Sequence, residues 1–191
     1  FIFGTVIGIF AVTMIFVNPY LVKYGTRKLL VAAALVYTLG YILTFLSDGS
    51  FLLIWIGVGV LGGIATGIGY LVSVSVPVLW YPHKKGLITG IVSAGFGGGA
   101  IVQSFFCEKL ILFKFNILEI MTYPAFIYAG IMLMIAFAIS PPPDFKPAEL
   151  KSTGIKLVIR DVNFIRLFIG IFTGTFAGLM IIGNLKSIGL V

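Results

Sequence analysis

Residues 51–87 read FLLIWIGVGVLGGIATGIGYLVSVSVPVLWYPHKKGL, and no charged residue falls between positions 49 and 82. A helix needs roughly 20 apolar residues to cross about 30 Å of hydrocarbon. This run is too short for two crossings and a turn, so it reads as one long helix from about Phe51 to Leu79 with polar ends. Pro77 lies inside it and frees a carbonyl one turn back, near Ser73, which predicts a kink there. The strand-sized alternation of a β-barrel is absent.

Five further charge-free runs flank this one, at 1–22, 29–47, 86–107, 120–143 and 167–185. Each fits one crossing, which gives an all-α membrane protein with six transmembrane helices. Composition agrees: of 191 residues, 60% are hydrophobic, 10% are charged and 18 are Phe. A soluble domain carries about 25% charge and could not bury that much apolar surface. Soluble enzymes, disordered tails and disulfide scaffolds are thereby excluded.

The basic residues divide unevenly between the two ends of the helices. Lys23, Arg27, Lys28, Lys84, Lys85, Lys146, Lys151, Lys156, Arg160 and Arg166 fall on one side, and Lys109, Lys114 and Lys186 on the other. The positive-inside bias makes the first side cytoplasmic, or matrix or stromal in an organelle, with loops 23–28, 82–86 and 141–163 facing it. The net charge of +7 then requires no nucleic-acid partner; membrane lipid is the expected surrounding. Six crossings place both ends on the far side, and Phe1 opens in mid-run, so the chain is expected to be the interior piece of a longer protein.

Small residues recur every four positions: Gly4 and Gly8; Gly59, Gly63 and Gly67; Gly86, Gly90, Ala94 and Gly98; Gly170, Gly174 and Gly178. In lipid such stripes let backbones approach, so they are expected to be helix-packing seams. Gly95, Gly97, Gly98 and Gly99 would in addition let their helix bend. Pro124 is expected near a helix start. In the stretch 141–163, which opens on three prolines, residues 155–160 have the pattern of a short interfacial helix, with a solvated linker as the alternative.

Chemistry-bearing groups are few. The lone Cys107 allows neither an internal disulfide nor a cysteine-rich metal site, and His83 stands in a basic turn. The glycines at 95–99 have no Lys-Ser or Lys-Thr after them, so a phosphate loop is unsupported. No ionisable group lies near the middle of a run, which leaves no proton relay at the bilayer centre. No catalytic residue, metal or cofactor is expected, and the protein is not expected to be an enzyme. Ligand contact falls to Tyr70, Ser73, Ser75, Phe96, Gln103, Thr173 and Thr175. A phenol at Tyr70 can donate to a carboxylate or, alternatively, tie two helices together.

The stretch Gly62-Gly63-Ile64-Ala65-Thr66-Gly67-Ile68-Gly69-Tyr70, the turn Trp80-Tyr81-Pro82-His83-Lys84-Lys85-Gly86-Leu87 and the following Ala94-Gly95-Phe96-Gly97-Gly98-Gly99 resemble the oxalate/formate antiporter family of the major facilitator superfamily, which is monocarboxylate transporter-like. Ala177-Gly178-Leu179-Met180 is similar to that family's seventh helix. The resemblance implies a twelve-helix fold in two halves, of which this chain supplies helices 2–7. Residues 1–140 would be helices 2–6, residues 141–163 the cytoplasmic inter-half linker and residues 164–191 helix 7.

It further implies a secondary transporter of small organic anions, with substrate at the midplane and alternating access. Tyr70, Phe96 and Ser73 would line the cavity, with Phe96 where the oxalate transporter has Tyr. Lys23, Gly25, Arg27, Trp80, Pro82, Lys84, Lys85 and Gly86 would form the gating motifs. Val22 stands where the superfamily pattern has Asp. That departure supports a second reading: a transporter-derived structural subunit, with other subunits of a membrane complex as partners.

Overall fold

The computed structural model describes residues 1–142 and, beyond them, 161, 162, 164–166, 168–170, 172–175 and 178. The chain divides into two units, Phe1–Pro147 and Ala148–Val191. In the first, five helices are long and apolar enough to cross a membrane: α1 (Ile2–Tyr24), α2 (Thr26–Phe45), α3 (Phe51–Trp80), α4 (Lys85–Leu112) and α5 (Ile117–Ala138). No strand occurs among the described residues. In the second unit the described residues from 162 to 178 are helical. The rest of the sixth run, most of the 141–163 stretch and its interfacial helix lie outside the described residues.

The connections are tighter than the charge pattern predicts. The expected loop 23–28 shrinks to Gly25, because Lys23 and Tyr24 finish α1 and Thr26, Arg27 and Lys28 open α2. Gly25 makes this possible with φ +80°, a left-handed value costly for a residue with a Cβ. Its N–H donates to the Leu21 carbonyl at 3.1 Å and its carbonyl accepts from Leu29 N–H at 3.4 Å. Between α3 and α4 a single 3₁₀ turn, Pro82–Lys84, suffices, and Lys85 and Gly86 are already helical.

One expectation about proline needs correction. Pro124 lies seven residues beyond Ile117, buried inside α5. The helix begins earlier because Asn116 and Glu119 form a capping box, with the Asn116 N–H donating to Glu119 Oε2 at 2.8 Å. Glu119, just outside the charge-free run 120–143, is part of the first turn. Pro77 lies inside the segment Gly63–Trp80 of α3, which is one α-helix.

Nearer its start, at Trp55–Gly62, α3 takes the wider π form. Gly57 and Gly59 let it press on α2 and α1. A Cβ at Gly40 would stand 2.5 Å from the Gly57 carbonyl, and one at Gly57 would collide with the Gly40 carbonyl and the Thr44 hydroxyl. That hydroxyl donates to the Gly40 carbonyl at 2.9 Å. Further along, Cβ atoms at Gly63 and Gly67 would meet the Val6 and Phe10 carbonyls at 3.0 and 2.9 Å. The expected seam of α3 thus exists, and α1 is its partner. The stripes at Gly4 and Gly8, and at Gly86, Gly90 and Gly98, have nothing within 4 Å among the described residues.

Candidate functional site

Successive crossings alternate, so Gly25, the turn Pro82–Lys84 and the end of α5 lie on one side. Two long-range hydrogen bonds bear this out. Arg27 Nη2 donates to the Phe137 carbonyl at 3.4 Å, and Trp80 Nε1 donates to the Ser140 carbonyl at 3.0 Å. The last carbonyls of a helix have no intrahelical donors, so both side chains tie down the end of α5. The Arg27 guanidinium also lies 5.8 Å from the centre of the Phe137 ring.

Depth can be counted from that side. Tyr37 is eleven residues into α2, Tyr70 ten residues back from Trp80, Phe96 eleven residues into α4 and Tyr128 ten residues back from Ala138. At about 1.5 Å per residue all four sit roughly 15–17 Å in, half of a 30 Å hydrocarbon layer. They line one cavity of about 400 Å³, together with Thr66, Ser73, Gly95 and Met132. The three side chains expected from sequence, Tyr70, Ser73 and Phe96, therefore share a wall. Every side chain on that lining is uncharged.

Its geometry is aromatic on one flank. The ring of Phe10, from α1, lies 5.4 Å from that of Tyr70 and 6.3 Å from that of Phe96, and the last two meet edge-on at 5.3 Å. Edge-to-face pairs at these distances suit the ring quadrupole. The Tyr70 and Ser93 hydroxyls are 3.3 Å apart, so Tyr70 both faces the cavity and bridges α3 to α4. The helix–helix tie weighed from sequence is thus present, and the ring stands on the cavity wall.

A second cavity, of about 670 Å³, shares Tyr37, Gly95, Phe96 and Tyr128 with the first and runs on past Tyr41, Gly99, Gln103, Met121, Pro124 and Ala125. Tyr128 donates to Gln103 Oε1 at 2.7 Å, and Gln103 Nε2 donates to Cys107 Sγ at 3.3 Å. Tyr37 and Tyr41 pack with ring centres 4.7 Å apart.

Sequence reasoning named Gln103 but missed Tyr37, Tyr128 and Phe10, since a lone aromatic in an apolar run looks the same whether it faces lipid or a cavity. The common count of ten or eleven residues from one side is the signal that would have found the two tyrosines.

The motif residues gather at the other level. Lys23 ends α1, Gly25 makes the elbow, Arg27 opens α2, Trp80 closes α3, and Pro82, Lys84, Lys85 and Gly86 form the exposed turn into α4. Val22 lines a further cavity of about 330 Å³ at this end with Asn18, Ser75 and Pro141. Among the described residues no group of His, Cys, Asp and Glu could hold a metal. Of the other expected polar positions, Thr173 donates back to the Ile169 carbonyl at 2.8 Å within the second unit, and Thr175 lines a small apolar cavity with Phe164, Phe168 and Phe172.

Comparison with known proteins places these observations in context. The sequence profile of the Major Facilitator Superfamily matches residues 1–190. An uncharacterized MFS-type transporter of Escherichia coli (strain K12), YhjX, is 27% identical over 176 residues, which cover 87% of this chain and 42% of that protein. Apicoplast pyruvate carrier 1 of Toxoplasma gondii is 39% identical over 46 residues, 24% of this chain and 8% of the carrier. An uncharacterized 38 kDa protein in the 23S RNA operon of Thermoproteus tenax is 38% identical over 80 residues, 42% of this chain and 21% of that one. The chain spans less than half the length of the curated relatives it matches.

Proposed function

The chain belongs to the Major Facilitator Superfamily, and from that premise we propose that the whole protein is a secondary transporter of small organic anions, monocarboxylates first, working by alternating access. The observation that carries this reading is the level of Tyr37, Tyr70, Phe96 and Tyr128 on four helices around one uncharged cavity. Transport needs no covalent chemistry, only a midplane site and rigid bodies that rock about it. Within the superfamily, the turn Trp80–Leu87 supports the oxalate/formate antiporter branch, and the short similarity to a pyruvate carrier supports a monocarboxylate as substrate. In that frame residues 1–140 are helices 2–6, 141–163 the cytoplasmic linker and 164–191 helix 7.

The aromatic flank of Phe10, Tyr70 and Phe96 receives the apolar part of a substrate, and the Tyr70 hydroxyl donates to its carboxylate. Charge neutralisation comes from segments beyond this cavity lining. Uptake of labelled formate, pyruvate, lactate and oxalate into proteoliposomes of the full-length protein tests the proposal: saturable flux of at least one is expected, and none at all sinks it. Tyr70→Phe sharpens the test. A hydrogen bond to a charged group contributes about 1.5–3 kcal/mol, so affinity should fall roughly ten- to one-hundred-fold. Unchanged affinity with a lowered melting temperature would leave Tyr70 only its bond to Ser93.

A further inference from the structure

The larger cavity holds a pair of polar side chains whose hydrogen bonds are only partly committed. Tyr128 spends its proton on Gln103 Oε1, which leaves the phenol oxygen free to accept. Gln103 spends one amide hydrogen on Cys107 Sγ at 3.3 Å, which leaves the second free to donate. The pair therefore offers one donor and one acceptor side by side. Both residues line the cavity, and Tyr128 also lines the smaller one where Tyr70 and Phe96 stand.

A hydroxyl group is the small substituent that needs one donor and one acceptor together. A methyl or methylene uses neither, and a carbonyl uses only the donor. Sites built to hydrogen-bond a substrate hydroxyl discriminate strongly against analogues lacking it, because their own polar groups are then left unpaired away from water. We propose that the Tyr128–Gln103 pair reads a hydroxyl on the substrate, so that the cavity prefers hydroxy-monocarboxylates, of which 2-hydroxy acids are the smallest chiral kind. This rests on the transport reading above and adds a specificity determinant to it.

Lactate and propionate differ by that hydroxyl alone and serve as probes. In proteoliposomes of the full-length protein, the ratio of kcat/KM for lactate to that for propionate should favour lactate at least tenfold. It should drop about tenfold in both Gln103→Leu and Tyr128→Phe. A wild-type ratio near one, or a ratio that survives both substitutions while flux persists, overturns the proposal and leaves transport standing. Absence of any organic-acid flux defeats both together.

Discussion

The glycines of α3 and those of α4 recur with the same spacing, yet the two helices use them differently. On α3, Gly57, Gly63 and Gly67 are filled to contact by the backbones of α2 and α1, and this helix carries much of the buried core. On α4, Gly86, Gly90, Gly95, Gly97, Gly98 and Gly99 meet nothing within 4 Å, and no residue of the helix is buried. Each glycine costs helix stability, up to about 1 kcal/mol relative to Ala. On α3 close packing offsets that cost. On α4 the described residues offer no such compensation, so its stripe is free to serve bending or a further surface.

The difference can be tested by adding one methyl at a time, reading the melting temperature of the purified full-length protein in detergent. Gly57→Ala should be the most damaging, because the new Cβ collides with the Gly40 carbonyl and the Thr44 hydroxyl; a loss of about 3 kcal/mol is expected from overpacking. Gly67→Ala should cost less, about 2 kcal/mol, since the Phe10 carbonyl at 2.9 Å and Thr13 Cβ at 3.0 Å stand farther off than the atoms facing Gly57, although backbone must still move.

Trp55→Phe removes the indole N–H that reaches Thr5 Oγ1 at 3.0 Å while keeping a ring, and should cost about 0.6 kcal/mol, the mean for membrane helix–helix bonds. Gly98→Ala should raise stability by up to about 1 kcal/mol. If it destabilises as much as Gly57→Ala, the contrast collapses, and a tightly packed partner must cover α4 in the whole protein. If stability rises while transport slows, bending of α4 is the use of its glycines.

Both stripes were visible in the sequence, and neither reading of them could be assigned there. Spacing is a property of one helix, whereas a seam is a property of two, and the partner of Gly57 is Gly40, a single glycine with no periodic company. The π segment stayed hidden for the same reason, since its glycines read as ordinary helix. The helices themselves were legible, because charge-free length maps directly onto hydrocarbon thickness. Their ends were legible only in part: Lys23 was counted in a loop and Glu119 left outside its run, although a cation in a last turn and a capping acid belong to the helix. At the site, Tyr70, Ser73 and Phe96 came from sequence, while Tyr37 and Tyr128 required the helices to be aligned by depth.

The single residue between α1 and α2 has a consequence for how the gene can vary. A helix turns about 100° per residue, and Gly25 leaves no slack to absorb an added or missing one. One codon gained or lost at this position would rotate α2 by that angle against α1. Gly40 would swing away from Gly57, and Tyr37 would leave the cavity, although no side chain had been altered. Insertions and deletions should therefore be purged at Gly25, while the five residues between Phe45 and Phe51 give epitope tags and fluorescent fusions a place to go.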